Sequence, residues 1–102
     1  MAYTVVVRFV WDDAKDLANR LKHRVSFEEA SELFSSGAEY LEVFDDEHSF
    51  DEDRLIAIGP IRRGVVLVVW TERDEETIRI IGARWATKKE KALYRFHILG
   101  QP

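Results

Sequence analysis

Two arginines in one β-rich run, Thr77-Ile78-Arg79-Ile80-Ile81-Gly82-Ala83-Arg84, are the side chains of this sequence best suited to hold an anion. A guanidinium presents five donors in a rigid fork that matches a phosphate or a carboxylate. The two are five positions apart, so strict alternation along a strand sends them to opposite faces. A bulge at Gly82 shifts the register by one residue and returns Arg84 to the side of Arg79, with helices expected on the other face. Arginines on a strand also serve simply to deter edge-to-edge pairing, and that alternative stands beside the first. Glu72 and Arg73 close the preceding run at a turn, which sets Thr71-Glu72-Arg73 across a hairpin from Arg79. A carboxylate among guanidinium groups is either a structural ion pair or a proton acceptor held ionised. Lys22 and His23 leave a helical stretch together; an imidazole such as that of His23 suits acid–base work and equally suits capping of a helix dipole.

These groups need elements to carry them. Tyr3 to Val10 is β-branched and aromatic and reads as a strand, followed at Trp11-Asp12-Asp13 by a helix start with an aspartate as N-cap. Ala14, Leu17, Ala18 and Leu21 recur at helical spacing, which predicts a helix to about Lys22 with that stripe buried. Ser26-Phe27-Glu28-Glu29 is a capping box, with Val25 and Ala30 as its hydrophobic staple, and Ser35-Ser36-Gly37 ends the second helix. A short strand is expected over 40–44, then an exposed acidic loop to Asp53. Leu55–Ile58, Val65–Thr71 and Thr77–Ala83 form an antiparallel meander. Thr87-Lys88-Lys89-Glu90 opens a last helix burying Leu93, Phe96 and His97. The fold class is α+β, an antiparallel sheet with two N-terminal helices and one C-terminal helix, in the order βαα(β)βββα.

Composition bounds the reading further. A chain of 102 residues suits one domain spanning 1–102, and 46% hydrophobic content with three tryptophans is enough for its core. The apolar start is too short and too soon interrupted for a signal peptide or a membrane span, which implies a cytoplasmic protein. There are no cysteines, and His23, His48 and His97 lack the spacing of zinc ligands, so no metal and no cofactor are expected. The net charge of −4 hides an asymmetry: residues 1–52 hold five Lys/Arg against thirteen Asp/Glu, and residues 53–102 hold ten against six. A basic half can meet a phosphate backbone while the acidic remainder keeps the chain soluble or meets a basic partner; ordinary solvated charge is the alternative.

The ordered set Trp11-Asp12, Lys15, Asn19, Lys22-His23, Val25 to Ala30, Ile58-Gly59, Thr71-Glu72-Arg73, Ile78 to Ile81, Ala83-Arg84 and Ala86-Thr87 resembles the BrnT toxins over about residues 9 to 95. The resemblance implies a RelE-like fold and a ribonuclease of a type II toxin–antitoxin pair that arrests translation, cleaving RNA without a metal through its own 2′-hydroxyl. It assigns Arg79 and Arg84 to the phosphate with Arg73 assisting, and proton transfer to Lys22, His23 or Glu72. It implies a BrnA-like ribbon-helix-helix antitoxin in a heterotetramer, with DNA reached only through that partner and no membrane. Two positions depart from the family pattern. Trp85 stands where a basic residue is usual, and either stacks on a base beside Lys88 or packs under the last helix; Arg24 stands where glycine is usual. A toxin-like module that binds antitoxin or RNA without cleaving is the competing reading.

Overall fold

A computed structural model describes residues 7–49 and 51–101. Its elements are β1 (Arg8–Val10), α1 (Asp13–His23), α2 (Phe27–Ser35), β2 (Leu41–Phe44), a 3₁₀ turn (Asp46–His48), β3 (Leu55–Ile61), β4 (Gly64–Asp74), β5 (Thr77–Trp85) and α3 (Lys88–Ile98). The five strands form one sheet in the order β1-β5-β4-β3-β2. The meander β3-β4-β5 is antiparallel as its spacing predicts, but β1 runs parallel to β5, so the sheet is mixed rather than antiparallel. Of the first expected strand, residues 3–6 lie outside the described residues. Strand β3 runs through Gly59 and Pro60, which alternation alone reads as a loop. Pro60 is tolerated there because β2 pairs only with 55–58, so its missing N–H faces an open edge.

One sheet face packs against α2 through Val25, Phe27, Ala30, Leu33, Val66, Val68, Trp70 and Ile80, all at most 3% exposed. Burying each of the larger side chains is worth about 1.5–3 kcal/mol, which makes this the main core. Gly59 permits the approach, since a Cβ there would lie 2.7 Å from Leu33 and 2.8 Å from Tyr40. The opposite face carries a smaller cluster in which Tyr94 and Ile98 of α3 meet Ile58 and Leu67. The expectation that α3 buries Leu93, Phe96 and His97 is corrected: Phe96 is 62% exposed, and the face next to it packs instead. The capping box at Thr87 turns the helix this way, with Glu90 accepting from the Thr87 amide and the Thr87 hydroxyl from the Glu90 amide.

Helix α1 inverts its sequence pattern. Its apolar stripe faces outward, with Leu17 50% and Leu21 77% exposed, and no residue of the helix is fully buried. Inward lie Asp16 and Asn19. Asp16 accepts the Phe27 amide at 2.8 Å, and Asn19 donates to the Val25 carbonyl while accepting the Ala83 amide of β5. Strand β1 pairs with β5 only as far as Arg79, so backbone groups beyond it need other partners, and α1 supplies one. The helix is N-capped by Asp12 and ends at Arg24, whose φ of 59° is the left-handed conformation that favours glycine. The box at Ser26 is half formed: its hydroxyl accepts from the Glu29 amide, but the Glu29 carboxylate goes to Arg63.

The inversion has a measurable consequence. Asn19→Ala is expected to destabilise the protein by about 1–3 kcal/mol by leaving two backbone groups without partners. Leu21→Ser should fall within about 0.5 kcal/mol of wild type. Urea denaturation followed by circular dichroism reads both.

Candidate functional site

The register of β5 against β4 decides where the arginines point. Trp70 pairs with Ile80 but Val69 with Gly82, so Ile81 is an extra residue and the bulge falls one position before Gly82. Arg79 opposite Thr71 and Arg84 opposite Leu67 therefore share a face, as the strand glycine suggests. That face is not left free of helices, because α3 covers part of it. Arg84 is bound bidentately by Glu90 of α3, at 2.8 and 2.9 Å, so the expected open phosphate clamp is here a closed ion pair. Glu90 is held down to about 2 from its ordinary 4.5, chiefly by the Arg84 hydrogen bonds, against the cost of burial and with help from the Thr87 amide.

Glu72 does not meet Arg79. It pairs with Ile78, on the opposite sheet face, and its charge is felt by Tyr40 there. Arg73 is the unpaired residue of a second irregularity before the β4–β5 turn, exposed and among Asp74, Glu75 and Glu76. Trp85 also lies on the α2 face, partly buried against the core, so neither a place under α3 nor an open stacking platform describes it. The Arg63 guanidinium sits 5.0 Å over its ring, and Arg63 also donates to Glu29 and to the Arg24 carbonyl. The Glu29 carboxyl is pulled below its ordinary range by that hydrogen bond.

These contacts gather one end of the molecule. The Arg24 carbonyl brings the C-terminus of α1, with Lys22 and His23, to the β3–β4 turn at Arg62-Arg63. The Ala86 amide donates to the Val65 carbonyl at 2.9 Å, which brings Lys88 and Lys89 to the same end. Lys22, Arg24, Arg62, Lys88 and Lys89 are all exposed there and His23 is half-buried, with Glu29 and Glu32 beside them, accepting from the Arg63 side chain and the Arg62 amide. The opposite end, from the β4–β5 turn to the β2–β3 connection, is acidic. Of the eight residues marked from sequence, Lys22, His23, Arg84, Trp85 and Lys88 thus share this end, with Arg84 and Trp85 on opposite sheet faces, while Arg79, Glu72 and Arg73 lie toward the other end.

Between Arg84 and the β2–β3 connection runs a cleft of about 430 Å³ on the arginine-bearing face. Its floor is Ile56, Leu67, Val69, Ile81 and Gly82, and its walls are the Arg84–Glu90 pair and Asp45, Glu47, His48 and Arg54. The connection, expected to be an unpacked acidic loop, is instead tied down. The Asp45 amide donates to the Arg54 carbonyl, the Ser49 hydroxyl to the Asp45 carbonyl, and the Thr71 hydroxyl to the Asp53 carbonyl. Its wealth of acidic residues masks this pattern of backbone partners. Among the described residues no group of His, Asp and Glu is arranged to hold a metal ion, and no helix is long and apolar enough to cross a membrane.

A mixed five-stranded sheet with two helices flanking one face, and a helix beside an open cleft on the other, defines a small α+β protein with one sheet face left partly uncovered. The particular family follows from comparison with known proteins. Residues 11–90 match the family described as the ribonuclease toxin BrnT of type II toxin–antitoxin systems, and the chain belongs to that family. The 1.1 Å crystal structure of the Brucella abortus ribonuclease toxin BrnT shares the fold, with a TM-score of 0.58 and 23% identity over 83% of this chain and 100% of that one. No curated protein matches. The chain is thus a ribonuclease toxin by family, with an antitoxin as the partner that such systems pair with it.

The Arg84–Glu90 pair predicts an acid response. Because the folded Glu90 pKa is depressed, its contribution is complete above the unfolded value near 4.5 and is lost as pH falls toward about 2. Glu90→Gln should flatten the stability–pH curve across that window and cost about 1 kcal/mol at neutral pH, given how much solvent the pair sees. Urea midpoints measured at several pH values check this.

Proposed function

We propose that this protein cleaves RNA by attack of the ribose 2′-hydroxyl on the adjacent phosphodiester, with no metal required, and so inhibits translation. The observation that carries the reading is the concentration of exposed Lys22, Arg24, Arg62, Lys88 and Lys89 at one end of a chain whose net charge is −4. Cations massed in one place on an acidic protein are the electrostatic footprint of a polyanion. RNA held by this end runs along the arginine-bearing face into the cleft, past Arg84 and toward Arg79, where a base can lie on the apolar floor. Arg84 reaches a phosphate only by exchanging Glu90 for it, and Lys22 and His23 contact the backbone at the entrance. The antitoxin, of the BrnA-like ribbon-helix-helix type and in a heterotetramer, covers the same cations and competes with RNA.

A second reading, binding without cleavage, is favoured by one observation: Glu90 occupies Arg84 in the free protein. Incubation with a defined single-stranded RNA separates the two. New fragments are expected, and binding with intact RNA at high protein concentration would select the second. In the same assay, Lys22→Ala, Arg62→Ala and Lys88→Ala together should weaken RNA binding. They should reduce the slope of log affinity against log salt by roughly 2, at about 0.7 per phosphate contact.

A further inference from the structure

We propose that His48, oriented by Asp45 and set beside Arg54, is the general base of the RNA cleavage described above, on which this assignment rests. His48 Nδ1 lies 3.1 and 3.0 Å from the two Asp45 carboxylate oxygens. An ionised carboxylate only accepts, so Nδ1 is the donor, and in the neutral ring Nε2 has a free lone pair. A carboxylate that fixes the tautomer and orientation of an imidazole is the arrangement by which histidines accept protons from hydroxyl nucleophiles. Asp45 is itself fixed, since its backbone amide and carbonyl are bound to Arg54 and Ser49.

The second observation is Arg54. Its Nε is buried and has no hydrogen-bond partner among the described residues, and its side chain lines the cleft, so a cation stands on that wall. His48 and Arg54 line both the main cleft and a smaller recess of about 190 Å³ that they share with Asp51 and Glu52. The remaining charged groups facing the cleft are Glu47 on the same connection, and Arg84 with Glu90 across it. An imidazole and a cation on one wall, an arginine opposite and an apolar floor between them suit one nucleotide, its base on the floor and its phosphate toward the guanidinium groups. The neutral His48 Nε2 takes the 2′-hydroxyl proton as the O2′–P bond forms. The P–O5′ bond then breaks, and the departing 5′ oxygen takes a proton from water. The products are a 2′,3′-cyclic phosphate and a 5′-hydroxyl, and the His48 proton returns to solvent. Arg54 meets the charge that builds on the phosphorane.

His48 and Asp45 lie on a surface connection outside both core clusters, so their variants are expected to fold, as circular dichroism would verify. With a defined oligoribonucleotide at saturation, His48→Ala should cut the cleavage rate by about 100-fold or more while leaving RNA affinity unchanged. Added imidazole should restore part of the rate to His48→Gly. Asp45 is a positioning residue, and Asp45→Ala should lower the rate without changing affinity. It should also abolish the Nδ1–H tautomer preference of His48, read from ¹⁵N chemical shifts of the ring. Cleavage at the wild-type rate by His48→Ala overturns the assignment of His48 and leaves the ribonuclease reading standing. A wild-type protein that binds the RNA and leaves it whole overturns the ribonuclease reading and this assignment with it.

Discussion

Strand β5 carries one residue more than β4 can pair, and much of the molecule's working geometry depends on that mismatch. The extra residue at Ile81 reverses the alternation downstream of it, so Ala83 and Trp85 turn to the main core while Arg84 turns to the cleft. Without it, Arg84 would face the apolar layer beneath α2, where an unpaired guanidinium costs several kcal/mol. The same shift sets the Ala83 amide where Asn19 can accept it. Both α1 and α3 are thus referenced to the stretch of β5 just beyond its irregularity, one through Asn19 and the other through Glu90.

The charge distribution follows from the same layout. Because α1 runs alongside β5 and α3 begins just beyond its end, the basic end of one helix and the lysines opening the other arrive together beside the β3–β4 turn. About half of the acidic residues are left at the β4–β5 turn and the β2–β3 connection, while Glu29, Glu32 and Glu90 stand among the cations. The exposed lysines and arginines are therefore more concentrated in space than the division of charge between sequence halves implies. Clustered cations attract a polyanion, and salt screens that attraction over a Debye length of roughly 10 Å.

Much of the architecture is legible in the residues. The caps at Asp12, Ser26 and Thr87 mark the three helices, and the meander follows from its β-branched runs. The glycine in the last strand announces the bulge. What periodicity misreads are the helix faces, because hydrophobic spacing cannot register that Asp16 and Asn19 have backbone partners worth more than a contact for Leu17 or Leu21. In the site, Arg84 and Trp85 are recognisable, yet their partners are not, since Glu90 is already claimed by a capping motif and Arg63 lies on a distant turn. Asp45, His48 and Arg54 are hidden in a stretch whose acidity reads as solvated loop. The available signal is the i, i+3 spacing of Asp45 and His48 on a single tight turn.

Helix α1 is attached to the sheet by hydrogen bonds instead of an apolar seam, and the difference bears on accuracy of placement. Apolar side chains tolerate sliding, and packed helices shift by an ångström or more at modest cost. Hydrogen bonds weaken steeply with distance and angle, and one amide serving two backbone groups has little room for compromise. Such an anchor is modest in strength but strict in position. It holds the end of the helix, and the lysine and histidine there, in a single setting relative to the strand it accompanies.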